Sequence, residues 1–245
     1  MTDEMPAENP DATPGSISEG SIPEDRSSRR SLAERLAARA DDDPDGLTRD
    51  EMAQIVALVS SDDTETRVDA AEALQHLHER PELFAPFVAD ILDASATYPD
   101  DVDSMPAPVQ WMGSPALRAI LYAADALARV ARDRPDLIVP HADRFREVLR
   151  ADRPTPRYHL FALGYAEASE PGTVPRAWLK GELCDLLDHG YGNGYPSWAA
   201  DVLRRLGDPD VLPTLREKRP DETRDEATRE AFADAIGELE AAADR

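Results

Sequence analysis

Five histidines, a single cysteine and a run of arginines are the residues through which this 245-residue chain could do chemistry. His76 and His78 stand two apart in a helical pattern, so they point to different faces and cannot close on one ion together. His141, His159 and His189 are scattered, without the paired spacing that metal sites show. Cys184 lies alone inside "GELCDLL", an apolar helical pattern. It can form no disulfide within the chain, and it reads as a small buried hydrophobe rather than a nucleophile. There is no Gly-rich phosphate loop and no Gly-x-Ser-x-Gly. Acid pairs are so abundant that no one of them marks a catalytic dyad. These residues predict no catalytic site, no metal and no cofactor.

Two stretches stand out as binding candidates. "RFREVLRADRPTPRYH", residues 144–159, reverses the local charge: Arg144, Arg146, Arg150, Arg153 and Arg157 face only Glu147 and Asp152. Such a patch could grip a phosphate, an acidic peptide or a nucleic-acid backbone, or its arginines could pair with acids on neighbouring repeats. "HGYGNGYPSW", residues 189–198, sets three glycines and two tyrosines ahead of Trp198. Glycines there allow positive φ, and Pro196 suits the start of a helix, so a hinge accounts for the backbone. It does not account for Tyr191 and Tyr195, because tyrosine is favoured at interfaces. Trp198 is expected in the core, on a stripe with Val202 and Leu206.

Composition bounds the choice between them. The chain carries 50 acidic against 27 basic residues, a formal charge of −23, and lysine occurs only at Lys180 and Lys218. Excess carboxylate with scarce lysine resembles the proteins of salt-loving organisms. In roughly 1 M salt, charge repulsion is screened over about 3 Å, and phosphate contacts lose decades of affinity as salt rises. Apolar and aromatic area then serves an interface better than arginines do, so Trp111, Trp178, Tyr191 and Tyr195 are the expected contact residues. "MTDEMPAENP" has neither a basic nor an apolar leader segment, and no stretch of about 18 apolar residues occurs. The expectation is a cytoplasmic protein.

The elements that would position these residues are helices, in a repeating order. Residues 1–30 are rich in Pro, Ser and acids and poor in large apolar side chains, which predicts a disordered tail. The first helix is expected at Ser31, where "SLAE" reads as a capping box, and Thr48 with Glu51 repeats the device. "AAEALQHLHERPELFAP" from Ala70 and "AADALARVARDRPDLIVP" from Ala123 then follow one plan. Weaker relatives start at Leu32, His159, Ala199 and Phe232, giving separations of 38, 53, 36, 40 and 33 residues. Pro81, Pro135 and Pro209 sit where second helices should begin. Leu117, Ile120, Leu121, Ala124, Leu127 and Val130 form one helical stripe. A period near 40 built of helix pairs predicts an all-α solenoid of five to six pairs over residues 31–245, with an irregular insertion at 96–113.

"SSDDTETRVDAAEAL", "RPDLIVP" and "LRRLGDPDVLPTL" resemble HEAT repeats, including the subtype named after phycobilisome lyases. The resemblance implies a curved superhelix that holds another protein on its inner, second-helix face. Some HEAT-like proteins are lyases or DNA glycosylases, but no catalytic residue carries over. The leading expectation is a non-catalytic scaffold with a protein partner; the alternative is a nucleic-acid or phosphate binder centred on Arg144–Arg157.

Overall fold

The structure is a computed structural model, and it describes residues 22–97, 114–150, 157–188, 194–221 and 224–244. Among these residues there are twelve α-helices and no strand. They are α1 (Arg26–Asp42), α2 (Arg49–Val59), α3 (Thr64–His76), α4 (Pro81–Phe84), α5 (Val88–Ala96) and α6 (Pro115–Asp133). The second half contains α7 (Ala142–Arg150), α8 (Tyr158–Ser169), α9 (Arg176–Leu186), α10 (Tyr195–Leu206), α11 (Leu212–Glu217) and α12 (Glu226–Ala243).

Local chemistry sets most boundaries. Thr48 Oγ1 accepts from the Glu51 amide at 3.2 Å while the Thr48 amide donates back to the Glu51 carboxylate at 2.9 Å, the expected reciprocal cap of α2. Pro81 opens α4, and Pro135 and Pro209 open single 3-10 turns ahead of α7 and α11. Gly207 closes α10 in the left-handed region, and Asp208 then accepts from the Asp210 amide.

The start of the first helix differs from the sequence expectation. Asp25, not Ser31, caps α1, accepting from the Ser28 amide at 2.9 Å. Ser31 lies inside the helix, and Glu34 binds the Arg30 guanidinium at 3.0 Å instead of reaching back to a free amide. The proposed capping box fails because the three arginines before it bind carboxylates around the start of α3: Arg26 with Asp63, Arg29 with Asp62 and Arg30 with Glu65. Residues 26–30 therefore belong to the solenoid; 1–21 lie outside the described residues.

The helices form two layers. Successive members α1, α3, α6, α8, α10 and α12 pack directly on one another, and α2, α5, α7, α9 and α11 lie against them as the second layer. All six repeat starts, Leu32, Ala70, Ala123, His159, Ala199 and Phe232, fall on helices of the first layer, so the repeat read in the sequence is this stacked row. Alanine permits the close stacking. On α6, Ala123, Ala124, Ala126, Ala128 and Ala131 are buried together with Leu117, Ile120, Leu127 and Val130, although Leu121 of the expected stripe is only half-buried. Gly164 of α8 meets Val202 of α10 so closely that a β-carbon would collide with the valine side chain.

Three polar residues brace the interior. Asp125 accepts from Gln75 of α3 at 2.7 Å and from Arg129 at 2.8 Å. The Glu167 carboxylate accepts from the Gly172 and Val174 amides, each at 3.0 Å, and holds the turn between α8 and α9. His159 is wholly buried, 2.8 Å from Ser95 Oγ of α5 and edge-on to Phe145 of α7.

Candidate partner-binding groove

An aromatic cluster joins α8 to α10. Tyr158, Phe161 and Tyr165 recur at three- and four-residue spacing, so α8 turns all three rings to one side. Tyr195 and Trp198 do the same from the first turn of α10. Gly194 adopts φ +67° just before that turn, where its carbonyl accepts from Ser197 Oγ at 2.7 Å and the Trp198 amide at 3.1 Å. The Trp198 indole lies nearly parallel to Phe161, 5.7 Å between centroids at 18°, and edge-to-face with Tyr158 and Tyr165, 6.1 Å from each. Tyr158 meets Tyr195 at 5.3 Å.

Charged groups frame the rings. The Arg129 guanidinium stands 5.9 Å from the Trp198 ring centre and that of Arg205 stands 5.0 Å from Tyr165, both within cation–π range. Tyr165 donates its hydroxyl proton to Asp201 at 2.8 Å, and Asp201 also takes Arg204 at 2.6 Å. Burial pushes the Asp201 carboxyl up, but the bonds from Arg204 and Tyr165 and the charge of Arg205 outweigh it and hold the group below its ordinary value. Burial and the neighbouring Asp201 charge push the Tyr165 phenol well above its ordinary value. Asp201 is thus a fixed anion and Tyr165 a fixed donor, and neither is poised for proton transfer near neutral pH.

Beside this cluster, between α10 and α12, runs an open groove of about 360 Å³. Trp198 and Tyr165 contribute aromatic surface, and Ala227 and Ala231 of α12 keep the opposite side low. Arg132 of α6 stands at one wall and Glu230 and Asp234 of α12 at the other.

The residues proposed from sequence are distributed differently. Tyr195 is 9% exposed and packed among Tyr158 and Phe161. Its ring is part of the core, a correction to its reading as a contact residue: the positive-φ turn at Gly194 tucks the side chain inward. Trp178 is half-buried against the core. Trp198, expected in the core, packs there with part of its indole left accessible to the groove. Trp111 and Tyr191 lie outside the described residues.

The arginine run is not a free cationic surface. Arg144 binds Asp93 of α5 at 2.9 Å and Glu147 at 3.1 Å, Arg146 binds Asp143 at 2.9 Å, and Arg157 approaches Glu182 of α9 at 3.4 Å. Arg150 is exposed at the end of α7, and Arg153 lies outside the described residues. Pairing with neighbouring elements, the plainer of the two sequence readings, describes Arg144 and Arg157, whereas Arg146 pairs with Asp143 within α7 itself.

Among the described residues, no group of three His, Cys, Asp or Glu side chains converges as a metal site would. Cys184 is half-buried, with its thiol pushed up by burial and by the charge of Asp185. The groove was missed in the sequence, and His159 read there only as an ordinary surface or packing histidine. An Ala-x-x-Glu-Ala pattern on α12 gives no sign of which helix faces it, and His159 carries no local mark of burial beyond its place in "YHLFALGYA".

Fold and groove together define an α-helical repeat solenoid. Among solved structures, an engineered protein superposes with a TM-score of 0.59 at 17% identity, covering 89% of this chain and 93% of its own. A designed armadillo repeat protein superposes with a TM-score of 0.52 at 14% identity, covering 89% and 95%. At that identity the likeness establishes the fold alone. Neither a protein-family model nor a curated protein matches the chain. No helix among the described residues is long and apolar enough to cross a membrane.

Proposed function

We propose that the chain is a non-catalytic scaffold of HEAT-like repeats, working in the cytoplasm, that binds another protein in the groove between α10 and α12. One observation carries the reading: an accessible tryptophan edge beside small alanines, framed by charged side chains. That is the make-up of an interface, with an aromatic anchor and a polar rim. The groove opens on the layer of first helices, which replaces the second-helix face expected from the HEAT resemblance. The acidic, lysine-poor composition fits work in concentrated salt, where aromatic area outlasts ion pairs. Nucleic acid or phosphate is the weaker reading, because most of the described arginines of the 144–157 run are bound to carboxylates.

Affinity purification from native extract at native salt tests the proposal. The exposed Ala227 lines the groove, so Ala227→Arg fills it without touching the core. We expect one stoichiometric protein with the native chain and its loss with Ala227→Arg at unchanged melting temperature. Equal recovery by the variant would remove the groove from the function.

A further inference from the structure

The charges around the groove separate into those already satisfied and those left over. Asp201 is held by Tyr165, Arg204 and Arg205, and Arg204 also reaches Glu238 at 2.7 Å. These groups rigidify the wall and have little left to offer an occupant. Arg132, Glu230 and Asp234 differ: each is exposed and lines the groove, and none has an oppositely charged side chain within 4.0 Å among the described residues. Glu230 and Asp234 stand four apart on α12 and so share one helix edge, about 6 Å apart. Ala227 and Ala231 lie on that same side and leave room for a long side chain to cross.

We propose that the groove takes a protein segment of mixed charge: a lysine or arginine set against Glu230 and Asp234, with its aliphatic stem on Trp198 and Ala231, and a carboxylate set against Arg132. The inference rests on the scaffold reading and deepens it. A wall of one charge would attract any basic peptide to a chain of formal charge −23. Opposite charges on opposite walls add polarity, because a reversed segment would place like charges together. A nucleic-acid strand fits less well, since a phosphate row long enough to meet Arg132 would also be brought against the α12 carboxylates.

The full-length chain is applied to an array of ten-residue peptides carrying one Lys and one Asp at separations of zero to six residues. Each peptide is paired with its Lys→Gln and Asp→Asn forms, and a single-stranded oligonucleotide is included. We expect retention of mixed-charge peptides at a preferred separation, with dissociation constants for the best of them weakened about tenfold or more by either neutralisation. Glu230→Gln with Asp234→Asn should abolish discrimination between Lys and Gln, and Arg132→Gln should abolish discrimination between Asp and Asn. Glu79→Gln with Asp90→Asn removes the same net charge away from the groove and should change nothing. Equal retention of Lys-only peptides, equal weakening by the control pair, retention of the oligonucleotide alone, or an array with no retained peptide would each overturn the proposal. The scaffold reading would then still stand or fall on the Ala227→Arg recovery.

Discussion

Trp198 stacks on Phe161 across the α8–α10 boundary, 5.7 Å between ring centres and 18° from parallel. The pair carries two roles at once, because the face of the indole turned to Phe161 completes the core while another part borders the groove. Trp198→Ala should therefore destabilise the fold by about 3 kcal/mol, as truncating a packed aromatic does. Trp198→Phe keeps the stack and should restore most of the loss. Denaturant melts of the two variants check this; equal losses would show that ring stacking is not what the tryptophan contributes.

Gly164 and Val202 make a second tight crossing one turn deeper. A Gly164→Ala substitution adds a methyl that the rigid valine cannot evade, and overpacking of this kind costs about 1–3 kcal/mol. In an exposed helix the same change would stabilise by about 1 kcal/mol. Gly164→Ala combined with Val202→Ala should recover part of the loss, and a thermal melt of the double variant reads it.

His159 makes stability depend on pH. Burial lowers its folded-state pKa from 6.5 to about 3, so the unfolded chain binds the proton first. The stability it confers is fully present above about pH 6.5 and is lost as the pH falls toward 3. Between pH 6.5 and pH 5, unfolding in urea should become easier by about 1.5 kcal/mol. His159→Gln should flatten that slope, while an unchanged slope would place the pH dependence elsewhere.

Salt should act on the two scales differently. With a formal charge of −23, the whole chain should melt higher in molar salt than in about 0.1 M salt, because repulsion is screened. Helix α1 is held partly by Arg26–Asp63, Arg29–Asp62 and Arg30–Glu65, so its amides should exchange faster relative to the rest as those pairs are screened. Hydrogen exchange at both salts separates the effects; uniform protection of α1 would deny the pairs a part in docking it.

Truncation locates the true start of the solenoid. Removing residues 1–21 should leave the melting temperature unchanged, because that stretch has no apolar set to dock. Removing 1–30 should lower it, since Ile22 packs against the core, Asp25 caps α1, and Arg26, Arg29 and Arg30 tie α1 to α3.

What the sequence alone determined was the helical repeat and most of its punctuation. The six Ala/Leu segments, the Thr48–Glu51 cap and the prolines at helix starts all act within one turn of themselves, so their chemistry is complete in a few neighbouring residues. The tertiary structure decided everything that depends on which helix lies beside which. Ser95 and His159 meet 64 residues apart in sequence and Tyr165 and Asp201 meet 36 apart. Ser31 failed as a cap for the same reason: the preceding arginines bind acids 33 to 37 residues further along the chain. Tyr195 and Trp198 have similar sequence surroundings, yet one is enclosed and the other borders the groove. Tyr195 turns onto Tyr158 and Phe161, whereas Trp198, one turn further along α10, reaches from Phe161 to the groove beside α12, and that difference rests on contacts with other helices rather than on neighbouring residues.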